Sequence, residues 1–100
     1  MISVTILTKN CQDTLAETLE SVQEFAEVLV FDSGSTDGTL SVANRFSNVK
    51  IIQGQFTGFG PTHNVASSHA ANDWILSIDS DEVLSAPLSK EILNLSLDPS

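Results

Sequence analysis

The sequence predicts an α/β fold in three layers, a mostly parallel sheet with crossover helices on its faces. Two observations carry this. Short apolar runs alternate along the chain with segments of helical periodicity, and that alternation is how strand–helix–strand units are written. At 100 residues, 41% of them hydrophobic and 17% charged, the chain is globular and amounts to one domain with a small core.

Four strands follow in order. The first runs from Ile2 to Leu7 and ends at "TKN". Leu15, Leu19 and Val22 then recur at spacings of four and three, an apolar stripe on a helix that Asn10 is placed to cap, with Asp13 in its first turn. "EVLVF" (27–31) is the second strand. The polar turn "DSGSTDGT" comes next, where Ser35 or Thr36 is expected to cap a second helix bearing Leu40, Ala43 and Phe46. Asp37 favours the start of that helix through its dipole. "VKIIQ" (49–53) is the third strand, followed by "GQFTGFGPTHN", read as a mobile glycine- and proline-containing loop, and a short helix from about Asn64 to Ala71. "WILSI" (74–78) is the fourth strand, with Trp74 expected to pack on the sheet; Pro87 and Ser89 announce a last helix, "SKEILNL". The opening "MISVTIL" has no basic leader and reads directly as a strand, while the closing "LDPS" has no capping element. The expectation is a genuine N-terminus and a sheet that is incomplete, with an uncovered edge open to self-association.

Charge narrows the partners. Thirteen acidic residues against four basic ones give a formal charge of −9, which opposes capture of a nucleic-acid backbone or an anionic bilayer. A phosphate ligand would need a cation. The single cysteine, Cys11, has no internal disulfide partner, and no stretch is long and apolar enough to span a membrane, so a reducing, cytoplasmic setting is the default. Cys11 reads as a helix-start residue and His69 as a surface residue.

In open parallel sheets ligands bind beyond the carboxyl ends of the strands. Three polar clusters fall there: "TKN" after strand one, "DSGSTDGT" after strand two and "DSDE" after strand four. In an extended segment residues i and i+2 project to one side, so Asp79 and Asp81 can aim both carboxylates at one point. A bound Mg2+ or Mn2+ would let both stay ionised and would take substrate phosphate oxygens at its other positions. A solvated turn is the plain alternative for the same tetrapeptide. An EF-hand fails at Val83, Leu84 and Lys90; "GFG" (58–60) lacks the third glycine of a dinucleotide fingerprint; no P-loop or zinc set is present. "ILSIDSDEV" also resembles the first motif of haloacid-dehalogenase-type phosphatases, in which Asp79 would be the nucleophile and Asp81 the acid/base. That reading leaves "DSGSTDGT" without a role.

Taken together, "VTILTKN", "VLVFDSGSTDGT" and "GPTHNVASSHAANDWILSIDSDE" resemble the N-terminal, donor-binding half of a family 2, GT-A fold, inverting glycosyltransferase, over residues 2–84. The wording is nearest to bacterial lipopolysaccharide-core glucosyltransferases. The resemblance implies that Thr8, Lys9 and Asn10 border the nucleotide base and that Asp32, followed by Ser33 where many members have a second aspartate, holds the uridine portion. It implies further that Asp79 contacts the ribose or metal-bound water, that Asp81 coordinates Mg2+ or Mn2+ with Asp79, and that Glu82 joins that shell. His63 and Asn64 match a segment near the diphosphate or sugar. Implied partners are a nucleotide diphosphate sugar, UDP-glucose, and a glycan or lipid-linked acceptor at the inner face of the cytoplasmic membrane. The general base and acceptor surface are expected beyond Ser100. A non-catalytic nucleotide-binding fragment is the second alternative.

Overall fold

The computed structural model describes residues 2–72 and 74–97; Met1, Asp73 and the closing "DPS", with the expectation for that terminus, lie outside the described residues. The elements are β1 (Ile2–Thr8), α1 (Gln12–Glu20), β2 (Glu27–Asp32), α2 (Thr39–Ala43), β3 (Val49–Gln53), α3 (Phe59–Ser68), β4 (Trp74–Asp79) and α4 (Ala86–Leu97). The strands form one sheet in the order β3-β2-β1-β4, every pair parallel. The chain adds β2 and β3 on one side of β1, then crosses to add β4 on the other. The reversal puts a topological switch point beside β1, the position at which open α/β sheets take ligands.

Strand alternation separates two unlike faces. Ile2, Val4, Ile6, Val28, Val30 and Ile78 point toward Leu15, Leu19, Val22 and Phe25 and, from α2, Val42 and Ala43, forming the dry core. Val22 belongs to this stripe but follows the end of α1. The opposite face is polar near β1. Ser3 donates to Glu27 (2.9 Å) and receives the Asn72 amide (3.0 Å), and Thr5 is hydrogen-bonded to Ser77 (2.8 Å) and to His63 Nδ1 of α3 (2.9 Å). These buried hydroxyls are tolerated because each has a partner; no buried side-chain polar atom among the described residues lacks one.

Helix starts depart from the sequence expectation. Asn10 does not cap α1: its φ is +51°, Cys11 occupies the cap position without a side-chain cap bond, and the Asn10 amide oxygen turns to the next loop instead. Neither Ser35 nor Thr36 caps α2, which begins at Thr39, where Asp37 accepts from the Thr39 amide (3.0 Å) and hydroxyl. α3 begins at Phe59 rather than Asn64. Its start is set by Gly58 at φ +106°, a conformation that disfavours any side chain, with Pro61 tolerated in the first turn, where an amide hydrogen has no helical acceptor. Trp74 does not pack down on the sheet; it is 53% exposed at the start of the edge strand β4.

Candidate functional site

The parallel register brings the three polar clusters to a common edge. Thr8 is opposite Asp32 across β1 and β2, and Leu7 is opposite Asp79 across β1 and β4. Lys9, Asn10, Ser33 and Asp81 follow directly from these strand ends.

Asp32 organises the turn after β2. Buried to 1% exposure, its Oδ1 accepts from the hydroxyls of Thr8 (2.8 Å) and Ser35 (2.5 Å), and its Oδ2 from the amides of Gly34 (3.1 Å) and Ser35 (2.9 Å). Burial works against ionisation, but the bonds from Ser35, Thr8 and Gly34 together outweigh it and hold the carboxyl below the usual aspartate range. Gly34, at φ +109°, permits the turn to close under the carboxylate. The first loop is stapled to the second. The Asn10 amide hydrogen is donated to Ser35 Oγ (2.9 Å), and Asn10 Oδ1 accepts from the amides of Thr36 (2.7 Å) and Asp37 (3.3 Å). Gln12 extends the staple by accepting from the Gly38 amide (2.6 Å), and the Ser33 amide is donated back to the Thr8 carbonyl (3.0 Å). "TKN" and "DSGSTDGT" are thus one hydrogen-bonded unit.

Asp79 ends β4, and Ser80 with Asp81 forms a turn, so strand alternation does not carry through to Asp81 as the sequence reading assumed. The turn is pinned at Asp79 and Glu82. The Asp79 amide is donated to Glu82 Oε1 (2.7 Å) and the Glu82 amide to the Asp79 carbonyl (3.1 Å), a reciprocal lock that commits one Glu82 oxygen. From α1, Thr14 (3.2 Å) and Thr18 (2.9 Å) both donate to the Ser80 carbonyl. Sequence reading gave these threonines no role. Their signal was spacing alone: two hydroxyls four residues apart on one side of α1. The carboxylates of Asp79 and Asp81 are exposed and make no hydrogen bond among the described residues.

His63 lies on α3 near Asp79. Burial lowers its affinity for a proton and the Asp79 charge partly restores it, with the net shift downward from the ordinary histidine value. Asn64 is exposed on α3 with no side-chain hydrogen bond, so it takes no part in the hydrogen-bond network of the cluster. His69 is exposed, as expected, with Nδ1 against the Val65 carbonyl (3.0 Å), and burial raises the Cys11 thiol above its ordinary value.

Two clefts open along this edge. One of about 540 Å³ is lined by Leu7, Thr8, Lys9 and Ser33 with Gln55, Phe56 and Phe59. A smaller one of about 250 Å³ lies over Asp32, Ser33, Gly34 and Ser35 with Gln53 and Gly54. Among the described residues no group of three or more His, Cys, Asp or Glu side chains is arranged to enclose a metal ion. Two free carboxylates, with hard oxygen donors, still fit Mg2+ or Mn2+, because such ions are commonly held by one or two carboxylates, with substrate phosphates and water completing the shell.

A four-stranded parallel sheet with a switch point, a stapled turn after β2 and a carboxylate pair after β4 defines an open α/β class, and known proteins narrow it. The chain belongs to glycosyl transferase family 2, whose model matches residues 3–98. It is similar to an uncharacterized glycosyltransferase of Rickettsia felis, 41% identical over 92 residues, covering 91% of this chain and 32% of that protein. The lipopolysaccharide core biosynthesis glycosyltransferase LpsC of Rhizobium meliloti is 28% identical over 96 residues, covering 92% and 35%. Among solved structures, Staphylococcus aureus TarS (residues 1–349) superposes with a TM-score of 0.81 at 28% identity, covering 96% of this chain and 31% of that one. Glucosyl-3-phosphoglycerate synthase from Mycobacterium tuberculosis, in complex with Mn2+, UDP and glucosyl-3-phosphoglycerate, gives 0.72 at 26% identity, covering 97% and 39%. The chain spans about a third of the length of these relatives. Family membership decides against the phosphatase alternative.

Proposed function

We propose that this chain is the nucleotide-sugar-binding part of an inverting glycosyltransferase that moves a hexose, glucose, from UDP-glucose to a glycan or lipid-linked, lipopolysaccharide-core acceptor. The observation that carries the reading is the convergence, on one sheet edge, of the stapled Thr8–Asn10 and Asp32–Ser35 loops with the free carboxylates of Asp79 and Asp81. The relative solved with UDP and Mn2+, and the relative named for lipopolysaccharide core synthesis, support the donor and the acceptor class.

The roles follow from position. Thr8, Lys9, Asn10, Asp32 and Ser33 form the nucleoside end of the site, Asp32 acting through the turn it holds as well as from the floor of the smaller cleft. Asp79 and Asp81 face the diphosphate, and Asn64, with His63 beside it, stands toward the sugar. Asp81, with Asp79, would hold Mg2+ or Mn2+, which offsets the charge that builds on the leaving diphosphate. The chain has four Lys and Arg residues in all, of which Lys9 adjoins the larger cleft, so this chain's own cations do little of that work. Inversion requires a base to take the acceptor hydroxyl's proton. We assign that base and the acceptor surface to sequence beyond the third of its relatives that this chain spans, and expect the chain alone to bind donor without turning it over. The membrane-bound acceptor would bring the enzyme to the inner face of the membrane; among the described residues no helix is long and apolar enough to cross it.

Calorimetric titration of UDP with Mn2+, then with EDTA, into the chain and into Asp81→Asn tests the reading. Metal-dependent binding that the substitution abolishes is expected. Absence of binding by the folded chain would sink it.

A further inference from the structure

The segment that runs from the end of β3 into the first turn of α3 has no ligand role in the sequence reading above, yet it carries two large apolar side chains exposed to solvent. Phe56 is 48% and Phe59 69% exposed. Their rings meet edge to face, centroids 5.1 Å apart at 76°, an arrangement in which aromatic pairs attract each other. The arrangement is built into the backbone. Gly58 turns the chain at φ +106°, the Thr57 amide is donated to Thr62 Oγ1 (3.0 Å), and the Thr62 amide to the Gly58 carbonyl (3.0 Å), so the two rings are presented from a fixed turn.

The pair forms one wall of the 540 Å³ cleft, whose other walls are Leu7, Thr8, Lys9 and Ser33. That volume is in the range of sites for drug-sized ligands, which join apolar and aromatic walls to a few polar groups. The Lys9 ammonium on the rim makes no hydrogen bond or ion pair among the described residues. Leu7, in one of those other walls, is opposite Asp79 on the neighbouring strand, and adjacent strands lie about 4.8 Å apart. A ligand seated against the aromatic wall therefore has its phosphate end within reach of the carboxylate pair. Flat apolar rings beside a free cation, next to a diphosphate site, fit a planar nucleobase: bases stack on aromatic side chains whatever their edge pattern.

We propose that the Phe56–Phe59 pair is the stacking platform for the donor's base, an inference that rests on the donor-site reading above. The test is titration of UDP, and separately of inorganic pyrophosphate, each with Mn2+, into the chain and into Phe59→Leu and Phe56→Leu. Both positions are exposed, and circular dichroism confirms that the variants fold. UDP affinity is expected to fall by roughly tenfold in each variant, pyrophosphate affinity to stay unchanged, and Phe59→Trp to bind UDP at least as well as the parent. Unchanged UDP affinity in the leucine variants overturns the platform and leaves the donor site standing. An equal loss for UDP and pyrophosphate overturns it too, since the rings would then be shaping the phosphate end. A folded parent chain that binds neither ligand overturns the donor-site reading and this inference with it.

Discussion

Asp32→Ala removes the acceptor of four donors at once, and the structure allows the cost to be apportioned. The two hydroxyl donors have alternatives. Thr8 Oγ1 already lies 3.5 Å from the Phe31 carbonyl, and Ser35 is partly open to water. The amides of Gly34 and Ser35 are fixed by the turn and cannot re-aim. Each amide left short of a partner costs about 1–3 kcal/mol, toward the low end where water can reach it, and the bonds lost were charge-assisted. A total of about 2–4 kcal/mol follows, against a domain stability that is ordinarily about 5–15 kcal/mol. Asp32→Asn keeps one oxygen for the two amides and offers its NH2 to the hydroxyls, so it should cost about 1 kcal/mol. Urea unfolding with linear extrapolation measures both. An alanine variant within 0.5 kcal/mol of the parent, or an asparagine variant as unstable as alanine, would refute the assignment of Asp32 as the turn's organiser.

The same carboxyl predicts an acid limb. Its folded pKa lies below the unfolded value, so its contribution is present above about pH 4 and is lost as pH falls through the lower, folded value; Asp32→Asn should flatten that loss in urea melts collected across the window. His63 has a folded pKa depressed by burial, so the unfolded chain takes up the proton first and stability declines as pH drops below about 6.5; proton NMR should place its midpoint below that value, and lower still in Asp79→Asn. A midpoint at or above 6.5 would contradict the burial argument. Thr18→Val removes the 2.9 Å bond to Ser80 and should cost about 1 kcal/mol while loosening the Asp79–Asp81 turn, read as weaker Mn2+-dependent UDP binding; unchanged binding would deny the clamp a positioning role. β4 leaves an open edge with Trp74 and Ile75 exposed, so sedimentation should show concentration-dependent association that Ile75→Lys reduces. A monomer at all concentrations would count against it.

The sheet was legible because buried parallel strands are written as apolar runs: Val28 to Phe31 is buried throughout, and no helix period competes with it. The gathering of the polar clusters at one sheet edge was legible for the same reason, since each cluster begins where such a run stops. What could not be read were features set by contacts distant in sequence. Asn10 has the composition of a cap, but its amide oxygen is taken by the amides of Thr36 and Asp37, some 26 residues away, and its backbone leaves the capping geometry. The start of α3 was hidden by Gly58, Gly60 and Pro61, residues that punctuate loops yet here sit at or within a first turn. The threonine clamp on Ser80 joins residues 62 and 66 apart in sequence, beyond any local pattern.

The central claim is that the carboxyl edge of this sheet is a donor site. Amide-resolved NMR of the chain titrated with UDP and Mg2+, followed by trace Mn2+, tests it most directly. Shifts confined to Leu7–Asn10, Asp32–Ser35, Gln55–Phe59 and Asp79–Glu82, with Mn2+ broadening centred on Asp79 and Asp81, are the predicted result. Shifts at the opposite edge of the sheet, or broadening that leaves the β4 turn untouched, would contradict it.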